Sequence, residues 1–217
     1  MTGWLLSAAA LLFWLSWALM PGVGVTDPAQ IFALVSSQRS FVAASVVLQL
    51  ISAALYAPAL VGIVIGEDRE PSRPLRWGAT LLLIGAMGSA ADAVLHLLAY
   101  AMTAPGLDGA TLVHVMAFMQ GPGLLLLAPM ILSFFAGGAM IAFALVNAGA
   151  VSRWNLRLHA VALLAAAAGG AMASSGVVPA RAVGLAVLAC VAGGQMWSGA
   201  AVSQRERPRA AAPAAIR

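Results

Sequence analysis

Residues 124–146 read LLLLAPMILSFFAGGAMIAFALV, an apolar run without one charged side chain, and such runs recur along most of the chain. A helix rises about 1.5 Å per residue, so roughly 20 apolar residues cross a hydrocarbon core of about 30 Å. Inside a bilayer the backbone has to satisfy its own N–H and C=O groups, and for continuous apolar runs of this length the helix does so. Composition points the same way. With 62% hydrophobic and 8% charged residues, the chain lacks the polar surface to enclose one soluble core. The expected fold class is all-α, a polytopic bundle of six transmembrane helices with short interfacial helices in the outer loops.

Six spans fit the hydropathy pattern, at about 3–20, 41–65, 77–102, 124–146, 154–173 and 182–202, forming one membrane domain over 1–202. The first lacks a positive leader and a small-x-small cleavage pattern, so it reads as a retained helix. "TDPAQ" before the second span announces an interfacial helix, with Thr26 or Asp27 as cap and Pro28 at the first helical position. Residues 110–146 are too many for one span, and "GPG" at 121–123 divides them into a short helix, 109–120, capped by Asp108, and the fourth span. The tail 203–217, rich in Arg, Pro and Ala, reads as disordered and basic.

All eleven basic residues are arginines, and their distribution orients the bundle. With six spans, Arg69, Arg73, Arg76, Arg153, Arg157, Arg205, Arg207, Arg209 and Arg217 share the side of the termini, against Arg39 and Arg181 opposite. The positive-inside bias then puts both termini in the cytoplasm and the protein in the plasma (inner) membrane. Trp4, Trp77, Trp154 and Trp197 fit an interfacial belt on that side, and Trp17 one on the other. Gly85, Gly88, Gly137, Gly138, Gly169, Gly170, Gly193 and Gly194 predict close helix contacts. The arginines are scattered and signal topology, so no nucleic-acid partner is expected. The partners expected are the lipid bilayer and a further membrane protein or a second copy of the chain. Cys190 is the only cysteine, which excludes an intrachain disulfide.

Polar side chains inside the third span carry the functional reading. Gly85, Ser89, Asp92, His96, Tyr100 and Thr103 fall within one narrow arc of a helix, so they face a single neighbour. A charged Asp92 near the bilayer centre costs roughly 2.5–3.5 kcal/mol on insertion scales, so it has to be neutralised or paired, and His96 at i+4 is the nearest partner. The short helix after the third span can fold back as a lid and bring His114, Met116, Met119 and Gln120 towards His96 and Tyr100. Ser89, Asp92, His96, Tyr100, His114 and Gln120 then form a ligand or proton pocket. His96, His114, Met116 and Met119 are the residues that could hold haem iron or copper. His159 reads as interfacial.

The segment "DPAQIFALVSSQRSFVAASVVLQLISAALYAPALVGIV", the charged turn after it, the outer helix ending in "GPG" and the close "NAGAVSRWN" resemble a group of uncharacterised six-helix integral membrane proteins of GC-rich bacteria. The likeness covers residues 1–173 and implies fold and location, with no activity to transfer. No nucleophile elbow, phosphate loop, CxxCH or HExxH pattern is present, so the expectation is a non-enzymatic protein binding a small ligand or partner through a polar pocket in the outer half. The alternatives are a b-type haem- or metal-binding subunit using His96 and His114, and proton-coupled transport through Asp92.

Overall fold

Local sequence starts each of two short helices. Pro28 opens one while the Asp27 carboxylate accepts from the Ala29 and Gln30 amides, and Asp108 opens the other by accepting from the Ala110 amide and the Thr111 hydroxyl. Thr111 together with the backbone amides holds the Asp108 carboxyl below the usual carboxylate range, as hydrogen bonds to a charged cap do. A computed structural model describes residues 2–66, 70–104, 106–174 and 179–211, with 169–174 and 207–211 described as backbone alone. The helices are α1 (Thr2–Leu19), α2 (Pro28–Ser37), α3 (Arg39–Ile65), α4 (Arg73–Met102), α5 (Gly109–Phe118), α6 (Leu124–Asn147), α7 (Arg153–Ser174) and α8 (Ala180–Ala211). No strand occurs among the described residues. Five helical stretches are long and apolar enough to cross a membrane: Thr2–Leu19, Arg39–Ile65, Arg73–Met102, Gly109–Asn147 and Ala180–Glu206.

The "GPG" break is corrected to a continuous turn. Met119–Gly123 forms one π-helical turn that joins α5 to α6. Pro122 lacks an N–H, and its ring crowds the carbonyl one α-turn back; the wider π register accommodates it, and glycines on either side add no Cβ of their own. Over 203–211 the tail departs from the expected disorder, because α8 runs through to Ala211. Ser203 is buried and donates to the Gly199 carbonyl, while the Thr2 amide and hydroxyl donate to Glu206. This stretch is the seat for the start of α1, whose first amides have no partner within their own helix. Residues 212–217, with Arg217, and the expected cytoplasmic Arg69 lie outside the described residues. So do the side chains of Arg207 and Arg209, and nothing is described of what surrounds Gly169 and Gly170.

Packing orders the long helices around a ring. α6 lies against α4, α4 against α3, α3 against α1, α1 against α8 and α8 against α7, and lighter contacts of α6 with α7 and α8 close the circuit. The two tightest seams are backbone on backbone. A Cβ added at Gly137 would stand 2.3 Å from the Leu82 nitrogen, one at Gly85 2.4 Å from Phe134 Cα, and one at Gly3 2.2 Å from the Gly199 carbonyl oxygen. Gly193, by contrast, has nothing within 4 Å of that position. Arg39 and Arg181 stand at the end that carries α2 and α5, where Arg181 donates to the Ala18 carbonyl at 2.9 Å. Arg73, Arg76, Arg153, Arg157 and Arg205 stand at the other end, and Trp4, Trp77, Trp154 and Trp197 are exposed on the bundle. Trp17 departs from the belt expected of it, since it lies inside against His96.

Candidate functional site

Ser89, Asp92 and His96 of α4 meet α3, where the residue that receives them is Gln49, almost wholly buried. The Gln49 Nε2 donates to Asp92 Oδ2 at 2.9 Å and, more weakly, to Ser89 Oγ at 3.4 Å. Its Oε1 lies 3.2 Å from His96 Nδ1, so with the amide in this orientation that ring nitrogen carries the proton and donates. The Asp92–His96 pairing expected from i,i+4 spacing is present as an ion-pair contact, and the Gln49 amide adds a hydrogen bond to each partner. Asp92 Oδ2 and His96 Nδ1 stand 3.7 Å apart, beyond hydrogen-bond reach, and the amide bridges them. Sequence reasoning missed Gln49, although a lone amide inside the run "VVLQLIS" was the available signal.

The arc of α4 also divides where a single neighbour was expected. Gly85 and Gly88 press on Phe134 and Met130 of α6, while Ser89, Asp92 and His96 turn to α3. Nearer the α2–α5 end, Arg39 takes up Tyr100 and Thr103. Its guanidinium lies 4.0 Å over the Tyr100 ring, and Nη1 donates to the Tyr100 carbonyl at 2.7 Å and to Thr103 Oγ1 at 2.8 Å. A cation on an aromatic face with two hydrogen bonds is a fixed strut, and it holds the ends of α3 and α4 together.

Two cavities flank Asp92. The larger, of about 480 Å³, occupies the ring's interior on the α2–α5 side; its lining includes Phe13 and Trp17 of α1, Ile131 and Phe134 of α6, and Val187 and Leu188 of α8. Gln49, Ser89 and Asp92 supply the polar patch on an otherwise apolar wall. The smaller, of about 200 Å³, lies under α2 and α5, with His96, Met116, Met119 and Gln120 among its lining residues. Asp92 borders both, retains 11% of its side-chain surface, and has no hydrogen-bond partner at Oδ1 among the described residues.

The lid therefore brings in three of its four expected side chains. Met116 and Met119 are buried in a cluster with Met20, Ile31, Val35 and Met102, and Gln120 reaches the cavity edge. His114 sits on the exposed face of α5 and lines neither cavity, so the structure does not bring it to His96. Among the described residues no three His, Cys, Asp or Glu side chains gather as a metal site of those ligands needs.

A second polar group lies nearer the terminal end and was not foreseen. Tyr56 donates to Gln195 Oε1, and Asn155 Nδ2 donates to Ser198 Oγ at 2.9 Å. His159 lies beside them, buried to within 3%. The interfacial placement expected of His159 is corrected: Asn155 and His159, four apart on α7, face α8 and the glycines of the seam, Gly138 and Gly194.

With this geometry in hand, comparison with known proteins adds no homology. No family model, curated protein or solved structure matches the chain.

Proposed function

We propose that this is a six-span plasma-membrane protein, both termini cytoplasmic, that binds a small amphipathic ligand in the outer half of its bundle and performs no chemistry on it. α7 is the sixth span of this reading: it is 22 residues long and packs against α8 and, more lightly, α6. The distribution of arginines supports the orientation, and the exposed tryptophans fit interfacial belts. The observation that carries the binding reading is the 480 Å³ apolar cavity with Asp92 Oδ1 unpartnered at its wall. That volume is within the range of about 300–1,000 Å³ common for small-molecule sites. An acceptor on an apolar wall selects a ligand with a hydrocarbon body and a head that donates hydrogen bonds, an amine or a hydroxyl in preference to a carboxylate. The light contacts of α6 with α7 and α8 give such a ligand a route from the bilayer.

Nanodisc-embedded protein titrated with dodecylamine, dodecanol and dodecanoate tests this. Dodecylamine and dodecanol are expected to raise the unfolding midpoint by several degrees, since ligand at 100 times its Kd adds about 2.7 kcal/mol, and dodecanoate is expected to leave it unchanged. Gly184→Phe, which projects a ring into the cavity, is expected to abolish the response, and Asp92→Asn to reduce the preference for amine. Equal shifts from all three amphiphiles that survive Gly184→Phe would overturn the reading.

Lid and orientation are tested together in intact cells carrying Cys190→Ser. His114→Cys is expected to react readily with a membrane-impermeant thiol reagent. Met116→Cys, fully buried in the native residue, is expected to react about tenfold or more slowly, because labelling there requires local opening. Absence of labelling at position 114 in intact cells, with reaction after permeabilisation, reverses the topology.

A further inference from the structure

The structure assigns a second binding site, for one water molecule, to the buried group formed by Asn155, His159 and Gln195. Three polar atoms there have no partner among the described residues: Asn155 Oδ1, His159 Nε2 and Gln195 Nε2. Their residues are 0%, 3% and 3% exposed. In an apolar interior each such atom costs free energy until something satisfies it.

Neighbouring hydrogen bonds fix what each atom offers. The Ser198 hydroxyl donates to the Gly194 carbonyl at 3.0 Å, so it accepts from Asn155 Nδ2 and leaves Asn155 Oδ1 as a free acceptor. The Tyr56 hydroxyl has one proton and gives it to Gln195 Oε1, which leaves Gln195 Nε2 as a free donor. Reversing the Asn155 amide would set its oxygen against the accepting Ser198 Oγ, and reversing the Gln195 amide would strand the tyrosine proton.

Two glycines bring these atoms to one place. A Cβ at Gly194 would lie 2.7 Å from His159 Nε2 and 3.1 Å from Asn155 Oδ1, and one at Gly138 would lie 3.0 Å from Gln195 Nε2 and 3.1 Å from His159 Cε1. Both free side-chain atoms are therefore within about 6 Å of the imidazole edge, the span of two hydrogen bonds of about 2.9 Å. The set combines a donor, an acceptor and a ring nitrogen that serves as either. A bare cation would face the Gln195 donor and an anion the Asn155 acceptor. Water matches all three, accepting from Gln195 and donating to Asn155, with either tautomer of His159 accommodated, and about three hydrogen bonds is the usual number for a buried water.

The test uses the full chain in bilayers with its histidines ¹⁵N-labelled. There are only three, His96, His114 and His159, so single His→Phe variants assign the signals. Water-edited solid-state NMR is expected to transfer magnetisation from water protons to His159 Nε2 at mixing times of milliseconds, with exposed His114 as the positive control. Asn155→Leu, in protein that remains folded and monodisperse, is expected to abolish the His159 transfer and leave that of His114 intact. Transfer to His114 with none to His159 in the unaltered chain overturns the assignment, and this arm needs no variant to fold. Persistence of full transfer in folded Asn155→Leu also overturns the shared site.

Discussion

Gly137→Ala is expected to destabilise the bundle by about 1–3 kcal/mol, the usual cost of inserting a methyl group into a closed contact, with a larger loss for Gly137→Leu. The new Cβ meets the Leu82 nitrogen at 2.3 Å, Leu82 Cα at 2.7 Å and the Gly78 carbonyl oxygen at 2.8 Å. All three are backbone atoms that cannot rotate away, so α4 and α6 must separate along their length. In lipid this matters because helix association depends on van der Waals packing and hydrogen bonds, with little hydrophobic drive between helices. Gly193→Ala is the matched control. It lies in α8 with open space at the Cβ position, and removing a helical glycine there is expected to be neutral or to stabilise by about 0.5–1 kcal/mol. Denaturant titration of the two variants in the same detergent checks the pair, and equal stabilities would exclude close α4–α6 contact.

Gln49→Leu is expected to cost about 1–3 kcal/mol, the penalty for leaving buried polar groups unsatisfied. It removes the donor to Asp92 Oδ2 and the acceptor for His96 Nδ1 in one step. Asp92→Leu alone strands the Gln49 amide in turn. The double variant, which removes both partners, is expected to lose less than the sum of the singles, with a coupling of about 0.5–3 kcal/mol for groups in one network. Additivity within about 0.5 kcal/mol would mean that the amide does not hold the acid. Asp92→Asn separates stability from binding, because it keeps the shape at the cavity wall and changes the charge it can offer a ligand head.

Membrane-length runs, the capped short helices at Pro28 and Gly109, and the inward placement of Asp92 were all legible in the sequence. Each depends on local composition or on spacing along one helix: about 20 apolar residues for a span, Asp before the first helical residue for a cap, polar positions three and four apart for one arc. Two local readings went wrong for a local reason of their own. "GPG" fits a wider π turn as well as a break, and an Arg-rich tail can continue a helix whose preceding turn is seated against α1.

Partner choice was not written in any local pattern. His96 is the nearest neighbour of Asp92 on α4, yet the amide of Gln49, 43 residues away in sequence, makes the hydrogen bond. Likewise His159 gave no hint of burial until the glycines of α6 and α8 brought those helices onto it. Sequence by itself determined which segments become helices and which face of α4 is polar, because both follow from one helix's period and from the insolubility of charge in hydrocarbon. Only the tertiary structure decided which polar groups satisfy one another, where Asp92 Oδ1 is left open to a cavity, and that His114 stays outside, since those outcomes depend on how closely one helix backbone can approach another.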